Sequence, residues 1–397
     1  MSRPVYLLSH ELPDSWKFAV KRWGIALHSM MSRTGSFPPA LAHWFVAKYS
    51  DRNHFVLDPF CGKGTLPLEA CLLDRIGLGN DLAPEAYTVS RAKVNAVSMR
   101  DLKLWVEDAS RRMRPDAVSI HDADEDVRVF FSPSTLRQLL AVRELLLYDD
   151  TDTANFVRGV ILGLLHGPSP LHLSVPCSHS FSMSPSYVRR YVAEHRVRRP
   201  VRNVLACLLK RAEYLMKDGV PRRRGMVFRR DARRLPIQDE SVNLIVTSPP
   251  YFNMQTYAWD NWLRLWFLGY SHVEVRRLLM ETQSIPRFMS FMDETFREMW
   301  RVLKQDSACI VVVGDVRLNG KLVNMAQLLV ELAEKSGFET ASIISDNIPK
   351  EHKYLMYIKD WQGVSRERIL VLHKGRVKIR PNPVAWSGPL ATAVTSR

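Results

Sequence analysis

A chain of 397 residues that is 46% hydrophobic and 24% charged can bury a large core, and it has the make-up of an ordinary soluble globular protein rather than a fibrous or disordered one. No apolar run approaches the length needed to cross a bilayer, and MSRPVYLLSHELPD at the start lacks the apolar core of a secretory leader, so a cytoplasmic protein without a membrane anchor is expected. The formal net charge of +15 points to a polyanionic partner.

Residues 1–35 read as irregular with short helical pieces. A helix opens near Pro39 in FPPALAHWFVAKYS, behind a Pro-Pro start. HFVLDPF is a short apolar strand, followed by a Gly-rich turn and a helix over 66–73. RIGLGND is a second strand, and helical sequence runs from about Pro84 to Met113. This β-α-β-α opening is the signature of a parallel sheet with helices on its faces. The alternation then stops, and 115–225 is mainly helical, with the looser GPSPLHLSVPCSHSFSMSPS inside it. The rhythm resumes in GMVFRRD, VNLIVTS, a helix over about 291–303, ACIVVVGD, a helix over about 323–336, FETASIISD and RERILVLHK. The last two strands read as a closing antiparallel pair. The expected organisation is a catalytic domain in two pieces, 1–114 and 226–375, with a helical basic insertion at 115–225 and a loose tail at 376–397.

Charge and cysteine usage sharpen the picture. Between Tyr187 and Arg234 there are 16 Lys/Arg against four Asp/Glu, a concentration that favours nucleic acid over a merely solvated face. Arg189, Arg190, Arg198, Arg199, Arg222, Arg223 and Arg224 are the candidate contacts. The five cysteines form no C-x-x-C pair and the histidines no H-x-x-x-H, so neither a structural zinc site nor any other metal is expected.

Two short stretches carry the chemistry. In LDPFCGKGTLPLEA (57–70), Gly62 and Gly64 permit a tight turn and close ligand approach, and the helix behind offers free N–H groups. It is not a P-loop, because Lys63 is followed by Gly64. It is not a dinucleotide fingerprint either, because position 67 is proline. Asp81, at the end of the second strand, stands where a carboxylate grips a ribose diol. Asp231, after the next strand, is placed to accept from an adenine amino group. TSPPYFN (247–253) ends a buried strand with Pro249 and Pro250, which cannot donate to a sheet ladder and make a rigid lip.

Together these stretches resemble the amino-group S-adenosylmethionine-dependent methyltransferases, in particular the cytosine-N4 DNA methyltransferases. DPFCGKGT is similar to their cofactor motif, TSPPY to their catalytic motif, GNDLAP to their second-strand motif, and RDARRLP to the run leading into the catalytic loop. SFPPALAHWF stands where the family covers the methionine end of the cofactor. The resemblance spans a little over half of the chain. It implies an α/β, Rossmann-like, seven-stranded class I methyltransferase sheet with S-adenosyl-L-methionine as cofactor. It assigns Phe37, Pro38, Asp58, Phe60, Gly62, Gly64, Thr65, Asp81, Asp231 and Ala232 to that cofactor. It further implies a target base flipped out of DNA, with Ser248 and the Pro249 carbonyl accepting from its amine and Tyr251 stacking on it.

Serine at 248 goes mostly with cytosine-N4 enzymes; adenine-N6 is the alternative, as is an RNA base on the same fold. Cytosine-C5 chemistry is rejected, since Pro176–Cys177 lies inside the insertion. A non-catalytic binding scaffold is disfavoured by the intact motifs. A protein-amide methyltransferase is disfavoured because it would carry Asn-Pro-Pro-Tyr. The motif order, cofactor before catalytic, makes the insertion the candidate target-recognition domain. A restriction endonuclease partner is left open.

Overall fold

The computed structural model describes residues 5–8, 24–33, 35–36, 38–176, 183–252, 257–318, 321–347 and 366–380. Ten strands are present among them: β1 Val5–Leu8, β2 Phe55–Asp58, β3 Ile76–Asn80, β4 Met226–Phe228, β5 Val242–Thr247, β6 Leu303–Gly314, β7 Val316–Leu318, β8 Lys321–Val323, β9 Glu339–Asn347 and β10 Arg366–Lys374. Eight form one sheet in the order β1-β9-β10-β6-β5-β2-β3-β4, and β7 and β8 form a separate hairpin. The strands β4-β3-β2-β5-β6 run parallel, and β10 is antiparallel to both β6 and β9. This is the Rossmann-like sheet of class I methyltransferases.

All seven expected strands are present, the closing antiparallel pair included. The eighth, β1, pairs parallel with β9 from Val5↔Ser342 to Leu8↔Ser345, where an irregular segment was expected. Four residues held by an edge more than 300 positions away carry no local signal. The long helix expected from Pro84 is two, Pro84–Val94 and Met99–Arg112; the second starts afresh where the Ser98 hydroxyl accepts from Asp101 N–H. The helix expected at about 291 begins earlier, spanning Ile285–Val302 with Ser284 as its cap.

Side chains alternate across the sheet, so each strand feeds two cores. Cys309, Val311 and Val313 of β6 pack with helices Ile285–Val302 and Met325–Lys335. Ile310 and Val312, from the same strand, pack on the other face with Leu41, Phe45 and Val46 of helix Pro39–Tyr49.

The insertion builds helices Pro133–Leu146, Asp152–Leu164, Pro185–His195 and Val204–Met216. Its core is not separate. Leu139, Phe156, Ile161 and Leu208 share one buried cluster with Leu27, Met30, Leu68 and Val89 of the first piece and with Trp262 and Phe267 of the last. Helix Asp152–Leu164 comes so close to the 25–31 segment that a Cβ on Gly163 would lie 1.9 Å from the Met30 carbonyl oxygen. Backbone cannot yield as a side chain can. Gly163→Ala should therefore lower stability by about 3 kcal/mol, the upper end of overpacking penalties. Urea unfolding would show this as a lower midpoint; an unchanged midpoint would mean that the helix is free to move off this contact.

Candidate active site

The sheet's strand order reverses between β2 and β5, and a cavity of about 420 Å³ opens at the carboxyl ends of the strands there. That crevice is where open α/β sheets hold ligands. It brings together Asp58 at the end of β2, Phe60 and Gly62 from the turn after it and Thr65 at the start of the next helix, with Asp81 after β3, Asp231 and Ala232 after β4, and Ser248, Pro249 and Pro250 after β5. Three candidates lie off its wall. Gly64 faces the other way, Pro38 is the exposed N-cap of helix Pro39–Tyr49, and Tyr251 is turned towards β10. Phe37 lies outside the described residues.

The two glycines of the turn do different jobs. Both have positive φ, 49° at Gly62 and 73° at Gly64. A Cβ on Gly64 would come within 2.8 Å of the Ser90 Cα, so this glycine lets helix Pro84–Val94 pack beneath the turn. On Gly62 it would meet only the Arg33 side chain, at 3.5 Å, along the cavity wall. The turn is further pinned from below by Lys93, whose buried Nζ donates to the Lys63 carbonyl at 2.7 Å and to the His28 carbonyl at 3.1 Å.

Asp81 holds the neighbouring loops. One carboxylate oxygen accepts from Gly62 N–H and the other from Ala83 N–H, both at 2.9 Å. Asp58 is almost fully buried, and its Oδ1 accepts from the Thr247 hydroxyl at 2.6 Å and from Phe60 N–H at 3.0 Å. Burial pushes its carboxyl up to about 7, against the opposing pull of those two hydrogen bonds. The Thr65 hydroxyl, at the start of helix Thr65–Leu72, is buried and lacks a hydrogen-bond partner.

At the lip, Ser248 Oγ is buried beside the Tyr251 phenol yet makes no hydrogen bond of normal geometry. Tyr251 does not present its ring to the cavity as a stacking platform. Its hydroxyl donates to Glu367 of β10 at 2.9 Å, and its N–H donates to the Tyr257 hydroxyl at 3.3 Å. Burial and the Glu367 charge raise the Tyr251 phenol well above its usual range. The aromatic ring on this side of the wall belongs to Tyr257.

Asp231 is engaged by its neighbour. The Arg233 guanidinium donates to it at 2.8 Å and reaches Glu294 at 3.4 Å, and the first of these bonds holds the Asp231 carboxyl below its usual range. Arg233 also lies over the Phe291 ring, which stands 5.9 Å from Phe60, centroid to centroid. Phe60, Phe291 and Ala232 thus line an apolar stretch of the wall with a carboxylate at its edge. Arg33 is a wall residue that sequence reasoning missed. It pairs with Glu85, and the Glu85 and Asp81 charges overcome the cost of burial and keep it protonated.

None of the candidate nucleic-acid arginines lines the cavity. Arg222, Arg223 and Arg224 precede β4, so they sit at the amino end of the parallel strands, opposite the crevice; Arg223 reaches Asn53, just ahead of β2. Arg189 pairs with Asp126 at 2.7 Å, Arg190 faces Glu194 at 3.9 Å, and Arg199 donates to the Val129 carbonyl at 2.6 Å. Cys177, the rejected nucleophile, lies outside the described residues. Among the described residues no group of His, Cys, Asp and Glu could hold a metal, and no helix is long and apolar enough to cross a membrane.

The wall geometry makes two expectations measurable. The folded state holds a proton on Asp58 that the unfolded chain gives up above its ordinary value of 3.8, so this group costs stability as pH rises from there to about 7. Asp58→Asn should match the wild type near pH 4 and exceed it above pH 7, by roughly 4 kcal/mol at most. Urea midpoints taken across that range would show the divergence, and parallel curves would exclude an elevated Asp58. Separately, Gly64→Ala should unfold earlier than Gly62→Ala, whereas Gly62→Ala should keep its stability within about 1–2 kcal/mol and lose affinity for a ligand in the cavity. Calorimetric titration with S-adenosylhomocysteine alongside thermal melts separates the two effects.

Comparison with known proteins agrees with this arrangement. The family model described as DNA methylase matches residues 12–92 and 242–386, more than half of the chain, and leaves out the insertion between them. No curated protein gives a significant match. Among solved structures, TTHA0409 of Thermus thermophilus, provisionally described as a DNA modification methylase, is 24% identical, with a TM-score of 0.25. The alignment covers 38% of this chain and 55% of that one, so the chain spans about half the length of this relative, which is also known complexed with S-adenosyl-L-methionine. TrmN from Thermus thermophilus is 12% identical over 88% of this chain and 52% of its own, with a TM-score of 0.35. A TehB-like S-adenosylmethionine-dependent methyltransferase from Corynebacterium glutamicum is 10% identical over 82% of each chain, with a TM-score of 0.29. With both motif-bearing pieces matched and joined at one crevice, the chain belongs to the N6/N4 DNA methylase family of S-adenosylmethionine-dependent methyltransferases.

Proposed function

We propose that this protein transfers a methyl group from S-adenosyl-L-methionine to the exocyclic N4 amine of cytosine in DNA. The observation that carries the reading is that Ser248 and Pro249, on a proline-stiffened lip, share one cavity with the glycine turn, Asp81 and Asp231.

The wall fits the cofactor in kind. The turn at Gly62 leaves space on the cavity side, the Thr65 hydroxyl lacks a partner among the described residues, and Asp81 ends the next strand on the same wall, where a carboxylate can take a ribose diol. The apolar surface of Phe60 and Phe291 suits one face of an adenine, with Asp231 at its edge. Bound there, the cofactor supplies an electrophilic methyl on a sulfonium. The protein's task is the amine. Its lone pair is conjugated with the ring, so it attacks poorly until acceptors hold both N–H bonds and favour a pyramidal nitrogen. Ser248 Oγ and the Pro249 carbonyl are the two acceptors. Pro249 and Pro250 keep them still, which matters because alignment is the main catalytic device here. Asp58, whose carboxyl burial raises to about 7, is the group on this wall suited to receive the surplus amine proton near neutral pH.

The decisive experiment incubates the protein with S-adenosylmethionine and genomic DNA from an unmethylated host, then separates the nucleosides by chromatography and mass. N4-methylcytosine is the expected product. N6-methyladenine would move the target to the other amine of the family, and methylation of RNA alone would replace the substrate. Ser248→Ala should reduce turnover about 100-fold, the scale of a lost transition-state hydrogen bond, with cofactor affinity little changed. Equal turnover by that variant would leave the lip a strand-ending loop.

A further inference from the structure

We propose that the nucleic-acid strand is gripped at the mouth of the cavity by Arg230, Arg277 and Arg287, and not by the arginine-rich stretch of the insertion. This rests on the proposed reaction on DNA and says which surface meets it.

The three arginines come from separate elements: the loop after β4, helix His272–Leu278 and the start of helix Ile285–Val302. All three are exposed, and all three line the same cavity. None has an ion-pair partner among the described residues, although Arg233, three residues from Arg230, is held by both Asp231 and Glu294. Unpaired guanidinium groups converging on one opening form a site for anions whose positions are set by what the opening contains. A base that enters the cavity remains tied to its own sugar, so its flanking phosphates must lie at the mouth. Directly after Arg277 the wall turns apolar. Leu278 is 57% exposed, and Leu279 and Met280 continue the wall inward. Such a lip suits the sugar and base edges of the neighbouring nucleotides.

The insertion's arginines fail the same test. Arg224 precedes β4 and Arg230 follows it, so the two sit towards opposite ends of that strand. Arg224 is already taken by Asn95 and Asp152, and Arg189 by Asp126. Their positive charge raises the long-range attraction of the whole protein for a polyanion, but none of them lines the crevice.

The test compares salt dependence. Wild type, an Arg277→Gln/Arg287→Gln variant and an Arg222→Gln/Arg223→Gln/Arg224→Gln variant are each titrated with a random-sequence DNA duplex at several salt concentrations, after thermal melts establish that both variants fold. The rim variant should lose about 2 from the magnitude of the log–log slope, about 0.9 for each phosphate contact removed, and the other should keep the wild-type slope. A rim variant with the wild-type slope, or a slope lowered only by the Arg222–Arg224 changes, overturns the proposal. Loss of slope on an RNA duplex but not on DNA overturns it equally. If the wild type forms methylated DNA while the rim variant keeps its slope, only this inference falls. If the wild type neither binds nor methylates DNA, the functional reading falls with it.

Discussion

Thr247 and Asp58 are 189 residues apart in sequence, and the hydrogen bond between them holds the crevice together. One ends β5, which leads into the proline lip; the other ends β2, which leads into the glycine turn. The two strands are neighbours in the sheet, registered at Val56↔Leu244 and Leu57↔Ile245. The side-chain bond joins the two strands diagonally just beyond their last backbone pair, at the point where both must stop. Its cost is a carboxyl with almost no water, which is why Asp58 titrates so high. A methyl transfer between two ligands needs this kind of join, because an error of an ångström between turn and lip is an error in the reaction coordinate.

A second join ties the insertion to the same geometry. Arg264 is buried and donates to the Leu162 carbonyl of the insertion, to the Ser32 carbonyl and hydroxyl, and to the Asn261 side chain at 2.5 Å. Burial lowers its pKa to about 10, which still leaves it charged near neutral pH. One guanidinium therefore connects the helix after the lip, the inserted helix Asp152–Leu164 and the stretch of chain that carries Arg33 to the cavity wall. With one buried apolar cluster running through all three pieces, the insertion braces the back of the site. That location explains why its arginines lie off the cavity wall while its helices matter to the position of the lip.

The strands, the crevice and most of the wall were legible in the sequence because each rests on a local signal. An apolar run ending in DPFCGKG or TSPPY states both its strand and the turn that ends it. What was not legible depends on contacts across the fold. Arg33 matters only because Glu85 and Gly62 arrive beside it, and Phe291 only because helix Ile285–Val302 sets it opposite Phe60. Tyr251 sits in the expected motif, but its partner Glu367 comes from the last strand, and that bond takes its ring off the wall. The cluster Arg222–Arg224 is different. Its charge was plain, and so was its place just before a strand; parallel topology puts the amino ends of strands away from the ligand, so composition pointed one way and topology the other.

The hydrogen bonding within the wall says where binding has most to gain. Asp81 accepts from two backbone N–H groups, Asp231 and Glu294 share Arg233, and Arg33 pairs with Glu85. A ligand meeting these groups exchanges one hydrogen bond for another, and the net gain from each exchange is small. The Thr65 hydroxyl is different, because it is buried and lacks a hydrogen-bond partner among the described residues. It carries a desolvation cost of about 1–3 kcal/mol that a new partner would recover. It stands at the start of the helix behind the glycine turn, so that gain falls on the half of the crevice built by β2 and its turn.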